Sequence, residues 1–363
     1  MVFCSVVMAI SEISEASTLG RVSAKTIGWF MMTSSIALIV AGAVALLFFK
    51  AGLFNVHIEG VSATTGSTGS NPLLVILNIV PSNIGATLSV NNAVLGVVFI
   101  SVVVGLGMNK LGLGKESVIY RFCEEVSKLV VTFLSFAVKK FGPIAIFMLL
   151  CRTFATYGIS YIKPAMAYFV LAIVVQLVFM FGFYPAVVAF AAKLNPVKFV
   201  KKIFKVMVFG FSTSSSAATL PLNQDTNIQE MGVDKQVASF VLPLGMTINM
   251  DGTAIMQTIA TLFLAGIGGY EVGIVNLFMI MLLALIASVG TPAAPGAGAV
   301  VLFTILSGMG FTGEAAMMGY TIILAINRPI EMLVTALNCV GDSVAAVAVA
   351  KSEGKLDEKI YNS

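Results

Sequence analysis

Residues 327–342 read NRPIEMLVTALNCVGD, and the reading of this stretch decides the fold. Asn327, Glu331, Thr335, Asn338 and Asp342 follow one another at intervals of four, four, three and four, which draws a single polar stripe along an α-helix. Ile330, Met332, Leu333, Leu337 and Val344 cover the other faces. A helix at a water surface would show such a stripe to solvent, but here the flanking faces are too apolar and the segment too long. Arg328 and Glu331, at i,i+3 spacing, offer a merely structural pair as the plainer account. Carboxylates inside a membrane span are costly, and they face cavities where they mark the path of an ion or substrate. Composition points the same way. Of 363 residues, 58% are hydrophobic and only 10% charged, against roughly 25% charged in a soluble domain. So few charges cannot cover a water-facing surface, and the chain reads as an all-α integral membrane protein.

Working outward, apolar runs long enough to cross a bilayer occur at 28–49, 85–108, 142–157 with an amphipathic lead-in, and 166–192. The stretch 51–72 is rich in Gly, Ser and Thr and reads as an exposed loop. Lys and Arg gather near 21–25, 110–121 and 193–205 and in the tail after Ala350, while loops near 51–72, 265–275 and 307–314 carry none. The positive-inside rule puts the basic loops and the C-terminus on the cytoplasmic side; the expected location is the plasma (inner) membrane. The net charge of +4 is spread over these loops, so nucleic acid is not an expected partner. Cys4, Cys123, Cys151 and Cys339 have no CxxC spacing and read as free thiols; His57, the sole histidine, lies in a polar loop. The opening VFCSVVMAI lacks a basic lead and reads as the tail of an apolar helix rather than a signal peptide.

From 206 to 350 the apolar runs are broken by GFSTSSSAATLPLN, TINMDGT and GTPAAPGAGA. Irregular backbone survives at membrane depth only where protein or water covers it. Ser212–Asn223 and Gly290–Ala299 therefore read as re-entrant hairpin tips meeting near the midplane, where interrupted segments mark a binding site. In TINMDGT, Asn249 and Asp251 are two apart and would diverge on a regular helix. An unwound helix lets their oxygens and freed carbonyls converge on a hard cation such as sodium, while a kinked helix bonding its neighbours is the plainer account. The serines from Ser212 to Ser216 offer hydroxyls and free amides to an anion. Thr33 and Ser34 alone read as helix-packing hydroxyls.

Taken in order, TSSSAATLP, NMDGT, GTPAAPGAGA and the NxxGD ending of the last helix resemble the glutamate transporter family, the dicarboxylate/amino acid:cation symporters. An archaeal relative is among the structures that taught the rule about interrupted segments. The resemblance runs from Met1 to about Glu353 and implies a homotrimer in which a transport domain slides past a scaffold like an elevator. It implies these parts: 1–27, the end of a truncated scaffold helix and a cytoplasmic loop; 28–49, a transport-domain helix; 50–128, scaffold; 129–199, scaffold and transport helices; 200–351, the transport core; and 352–363, a cytoplasmic tail. The core would hold a hairpin at 200–224, a broken helix at 236–262, a hairpin at 274–306 and the striped helix at 315–350. Met1 would fall inside the family's second helix, in a shortened gene model or a naturally short chain.

The resemblance also implies ligands. One sodium site would use Asp342 and Asn338 with the carbonyls of Gly245 and Asn249; a second, Asp251, Asn249, Thr33, Ser34 and the Phe30 carbonyl; a third, backbone oxygens near Thr247, Ser288, Val289 and Thr291. An amino-acid substrate would lie among Ser215, Ser216, Thr253, Ala294, Gly298, Glu331, Val334, Thr335 and Asn338, its ammonium on Glu331 and its carboxylate on Asn338 and the serine hairpin. Sodium is the expected coupling ion, with protons the alternative, and no organic cofactor is expected.

Acidic-substrate members usually carry an arginine one turn after the ammonium-binding carboxylate; here Val334 stands there. Some microbial members carry one in the serine hairpin, where this chain has Ser214, and Glu331 replaces the usual aspartate. The expected substrate is thus a small amino acid with a neutral side chain. A glutamate, aspartate or C4-dicarboxylate substrate would need Arg328 or Arg152 to supply the charge. Arg328 lies six positions from Val334, about 240° around a helix, and would need the Pro329 distortion to reach the same face. A membrane hydrolase using a serine of the TSSS run would need a general base, which the spacing does not provide, and a channel or structural role would be told apart by flux measurements.

Overall fold

A computed structural model describes residues 3–4, 7–8, 11, 20–54, 80–89, 94–141, 144, 147–148, 151, 155, 162–291, 293 and 295–363. Among the described residues the regular structure is helical, and a lone antiparallel bridge joins Val233 to Leu356. Helix α1 (Gly20–Lys50) contains the span expected at 28–49. Helices α2 (Ile84–Ser89) and α3 (Val94–Lys110) share the run expected at 85–108. The amphipathic α4 (Val118–Lys140) leads toward the run at 142–157, most of which lies outside the described residues, as do Arg152, His57 and the loop 55–72. Helix α5 (Ile162–Val178) passes through a π-helical turn, Phe179–Phe183, into α6 (Tyr184–Phe190).

The second half is a series of helices broken at polar insertions. α7 (Pro196–Thr213) starts on an Asn195 cap, whose Oδ1 accepts from the amides of Val197 (2.9 Å) and Lys198 (3.3 Å). It ends at Ser214, which turns left-handed at φ 50° without the help of a glycine. Ser215 then caps α8 (Ser216–Asp225), and the two helices pack on each other. Asp234 caps α9 (Lys235–Ile248), which gives way to α10 (Asp251–Gly268). α11 (Ile274–Val289) and α12 (Ala297–Met309) form the next packed pair. α13 (Glu314–Ile326), α14 (Arg328–Ser352) and the short α15 (Glu358–Asn362) follow.

The helix expected as one unit at 315–350 is two. Pro329 has no amide hydrogen to continue the ladder, and its ring crowds the carbonyl four residues back. The helix is interrupted at Asn327 (φ −73°, ψ −12°), two residues before the proline. Asn327 thereby leaves the stripe for the junction, where its Oδ1 accepts from the Tyr168 hydroxyl of α5 at 2.7 Å.

Among the described residues four stretches are long and apolar enough to cross a membrane: Arg21–Lys50, Pro164–Phe190, Lys235–Gly268 and Arg328–Ser352. The first two expose large apolar side chains such as Ile39, Leu47, Val170 and Val178, as lipid-facing helices do. The last two are wrapped by the rest of the fold, with α10 buried along its whole length. One hydrophobic core links α1 with the helices from α5 onward, while Met108, Tyr120 and Cys123 of α3 and α4 pack with Cys4 and Val7 in a separate cluster. At one end Lys25 pairs with Glu353 at 2.5 Å and holds that carboxyl below the usual carboxylate range. Lys202 donates there to the carbonyls of Glu230, Ile360 and Tyr361.

A buried polar knot fixes α8 to α14. Asn223 donates to the Cys339 carbonyl (3.1 Å) and accepts from Ser343 Oγ (2.6 Å), while Asn227 donates to Ser343 Oγ (2.9 Å). Removing one member strands the others away from water, which costs about 1–3 kcal/mol per group. Asn223→Ala is expected to lower the unfolding midpoint of the detergent-purified protein by several degrees, measured by scanning fluorimetry, whereas a surface change such as Lys128→Ala leaves it in place.

Candidate substrate and cation site

The site is built where the chain stops being helical. α9 closes with the Asn249 amide on the Gly245 carbonyl (2.8 Å), and the backbone then leaves the helix at Asn249 (ψ 80°) and Met250 (ψ 48°) before α10 restarts at Asp251. The amide of Gly252, freed from the ladder, donates to Asn338 Oδ1 on α14 at 2.8 Å. Unwinding thus lets Asn249 and Asp251 face the same region although a continuous helix would point them apart.

Asp251 is wholly buried, and both of its oxygens are engaged. Ser34 of α1 donates to Oδ1 at 2.5 Å and Tyr184 of α6 donates to Oδ2 at 2.9 Å. Thr33 donates to the Phe30 carbonyl (3.2 Å) and lies 3.4 Å from Asn249 Oδ1. Neighbouring Ser34 and Thr33 thus link the Asp251 carboxylate on one side with the Asn249 and Phe30 oxygens on the other, a donor set suited to a hard cation. Asn249 also reaches the other way, its Nδ2 donating to Asp342 Oδ1 at 3.0 Å. A single side chain thus joins the surroundings of both buried aspartates. Gly245 leaves the room Asp342 occupies, since a Cβ there would run into its carboxylate.

Beside this lies a small cavity between the two hairpin turns, the break and α14. Ser214, Ser216, Thr253, Gly298, Glu331, Val334, Thr335 and Asn338 line it, together with Met250, Met256, Thr291, Ala293 and Gly296. The turns touch directly, as Ser215 Oγ donates to the Ala293 carbonyl at 3.1 Å. Glu331 Oε1 accepts from the Ala299 amide at the start of α12 (3.3 Å), and its Oε2 lies 4.0 Å from Arg328. The Arg328 side chain is 43% exposed against 10% for Glu331, and it does not line the cavity. Asn338 Nδ2 donates to Thr253 Oγ1 (3.3 Å) and to Met250 Sδ (3.2 Å). Ser214 Oγ is buried with no hydrogen-bond partner among the described residues, a donor available to an anion.

Most of the substrate residues expected from the sequence meet at this cavity. Ser215 spends its hydroxyl on joining and capping the turns, and Ala294 lies outside the described residues. The third expected ion site is one of backbone oxygens, and the side-chain hydroxyls beside those oxygens are occupied within the protein. Thr247, Ser288 and Thr291 each donate to a carbonyl of their own helical segment, Leu244, Leu285 and Ala287. Met250, Met256, Ala293, Gly296 and Tyr184 were not legible as site residues. Only Met250 carried a signal, its place inside NMDGT.

A family model described as the sodium:dicarboxylate symporter family matches residues 1–352. The chain is 28% identical over 370 residues to the proton/sodium-glutamate symport protein of Bacillus caldotenax, covering 99% of this chain and 85% of that protein. It is 28% identical over 368 residues to the proton/glutamate-aspartate symporter of Escherichia coli (99% and 82%). To a C4-dicarboxylate transport protein of Polynucleobacter asymbioticus it is 27% identical over 368 residues (99% and 81%).

If Asp251 and Asp342 hold cations, Asp251→Asn and Asp342→Asn each remove a formal charge from an all-oxygen cluster. Both variants are expected to fold, yet to lose most of the upward shift in unfolding midpoint that sodium gives the unaltered protein. A titration of midpoint against sodium chloride, with choline chloride at matched ionic strength, checks this; unchanged curves in both variants contradict it.

Proposed function

This chain belongs to the sodium:dicarboxylate symporter family, a family of integral membrane transporters rather than enzymes, and from that premise we propose that it carries a small amino acid with an uncharged side chain, driven by sodium. Val334 is the observation that carries this reading: it lies on the cavity wall one turn after Glu331, while Arg328 stays outside. An apolar wall accepts a methyl or hydroxymethyl group. A second substrate carboxylate would be left there without a partner, at a penalty of several kcal/mol, and each 1.4 kcal/mol is tenfold in affinity.

Glu331 takes the ammonium in this reading. Asn338, the Ser214 hydroxyl and the amides of the turns take the α-carboxylate. Glu331 now accepts from the Ala299 amide, so an arriving ammonium competes with the second hairpin for the carboxylate. Asp251 and Asp342 hold the coupling ions. Because Asn249 and Met250 form the break and Gly252 follows it in the first turn of α10, an ion that orders Asn249 also sets Gly252 and Met250 against Asn338. Substrate and ion thereby favour the same local arrangement, the requirement for coupling. Protons are the alternative coupling ion, since relatives are named for either.

We assign α1, α6 and the helices from α7 to α14 to the moving transport domain and α2 to α4 to the scaffold of a homotrimer. The separate packing cluster of α3 and α4 supports the division. The gathering of Arg21, Lys25, Lys198 and Lys202 around the C-terminal tail supports a cytoplasmic C-terminus. A second reading, transport of glutamate, aspartate or a C4-dicarboxylate, is favoured by the names of the relatives. It would require Arg328 to leave Glu331 and turn inward.

Uptake in proteoliposomes, with serine, alanine, aspartate, glutamate and succinate as competitors, separates the two. The unaltered protein is expected to prefer serine or alanine, and Val334→Arg to gain acidic substrates while losing neutral ones by at least about tenfold. Preference of the unaltered protein for aspartate or succinate overturns the neutral-substrate reading and leaves the symporter in place.

A further inference from the structure

Tyr184 lies in the apolar run FMFGFYPAVVAF at 179–190, where nothing local suggests a polar role. It opens α6 directly after the π-helical turn Phe179–Phe183. A π turn inserts a residue, so the side chains beyond it are rotated by about 100° from where an unbroken helix would aim them. The Tyr184 ring is 0% exposed and meets Phe179 edge-on with centroids 5.1 Å apart. A buried phenol needs a partner for its hydroxyl. Tyr184 finds one across the fold, donating to Asp251 Oδ2 at 2.9 Å.

The last helix makes room for this contact at Gly341. A Cβ there would collide with the Tyr184 hydroxyl and stand 2.8 Å from Asn249 Nδ2. The glycine of the NxxGD ending is thus a notch in α14, through which a tyrosine from one side and an asparagine from the other approach the two buried aspartates.

We propose that Tyr184, seated in the Gly341 notch, is a positioning residue for the coupling cation. This rests on reading Asp251 as a cation ligand. By occupying Oδ2, the phenol fixes the rotation of the carboxylate, so that Oδ1 is turned toward Ser34 and the oxygens of Thr33, Asn249 and Phe30. When the ion arrives, Ser34 must swing its proton away from Oδ1 so that its lone pair faces the ion. Tyr184 keeps its bond throughout and makes no contact with the ion. Partners that orient a metal ligand in this way are worth about 10- to 100-fold in metal affinity.

The test uses the full chain in nanodiscs, with sodium chloride as the probe and choline chloride at matched ionic strength. Unfolding midpoints are titrated against sodium for the unaltered protein, Tyr184→Phe, Gly341→Ala, the double variant and Asp251→Asn. Tyr184→Phe is expected to unfold somewhat lower without sodium, because Asp251 Oδ2 loses its partner, and to need about 10- to 100-fold more sodium for the same stabilisation. Gly341→Ala should shift the curve the same way, and adding Tyr184→Phe to it should do little more, because both act through one contact. If Tyr184→Phe keeps the sodium dependence, or only lowers the midpoint without sodium, while Asp251→Asn loses the response, the phenol is structural: the proposal fails and the cation reading stands. If Asp251→Asn also keeps the full response, both fail. Should Tyr184→Phe not fold, an unshifted sodium curve for Gly341→Ala overturns the proposal.

Discussion

An amide group inside a bilayer has no water to turn to, and the break at Asn249 and Met250 is possible only because α14 answers the groups it frees. Asn338 takes the Gly252 amide, and Asp342 takes the Asn249 side chain. These contacts hold open a stretch of chain that would otherwise close into helix, since each unsatisfied backbone group in hydrocarbon costs several kcal/mol. The rest of the arrangement depends on them. Both buried carboxylates, the floor of the cavity and the meeting of the two hairpin turns are referred to this one irregular segment. The polar stripe on α14 thus serves structure and ligands together.

The stripe itself was legible because a period of 3.6 residues in an apolar chain leaves few readings. The break was legible for a related reason: Asn249 and Asp251 could not both be useful on a straight helix. The interruption at Asn327 was within reach, since Pro329 dictates it, but a regular spacing from Asn327 to Asp342 masked it. The cavity's methionines were not legible, because an apolar residue in an apolar chain carries no mark of what it faces. Tyr184 was hidden more deeply. Its partner lies 67 positions away, and its direction is set by a π turn with no reliable sequence signature. The third ion site came from family resemblance alone, because backbone oxygens leave no mark in the sequence.

Charge at the cavity follows from two neighbours on one helix. Glu331 brings a carboxylate to the second hairpin, and Val334 brings no counter-charge for a second acid. Arg328 balances Glu331 from outside, at a distance where the attraction is modest and its own head remains half in the open. The neutral substrate proposed for this chain rests on side chains at the cavity wall, Val334 above all, and not on a different architecture. Small residues do the remaining work. Gly245 and Gly341 let carboxylate, phenol and amide groups come together at distances any side chain would forbid.

In the proposed mechanism substrate and cation are coupled through residues 249–252. Calorimetry decides it most directly: the affinity for serine, with aspartate run beside it, measured at low and saturating sodium, and the sodium affinity measured with and without the amino acid. The account predicts that sodium tightens the amino acid by about 5- to 150-fold and that the amino acid tightens sodium by the same factor, as linkage requires. Amino-acid affinity indifferent to sodium, with sodium bound equally well in its presence and absence, would contradict it.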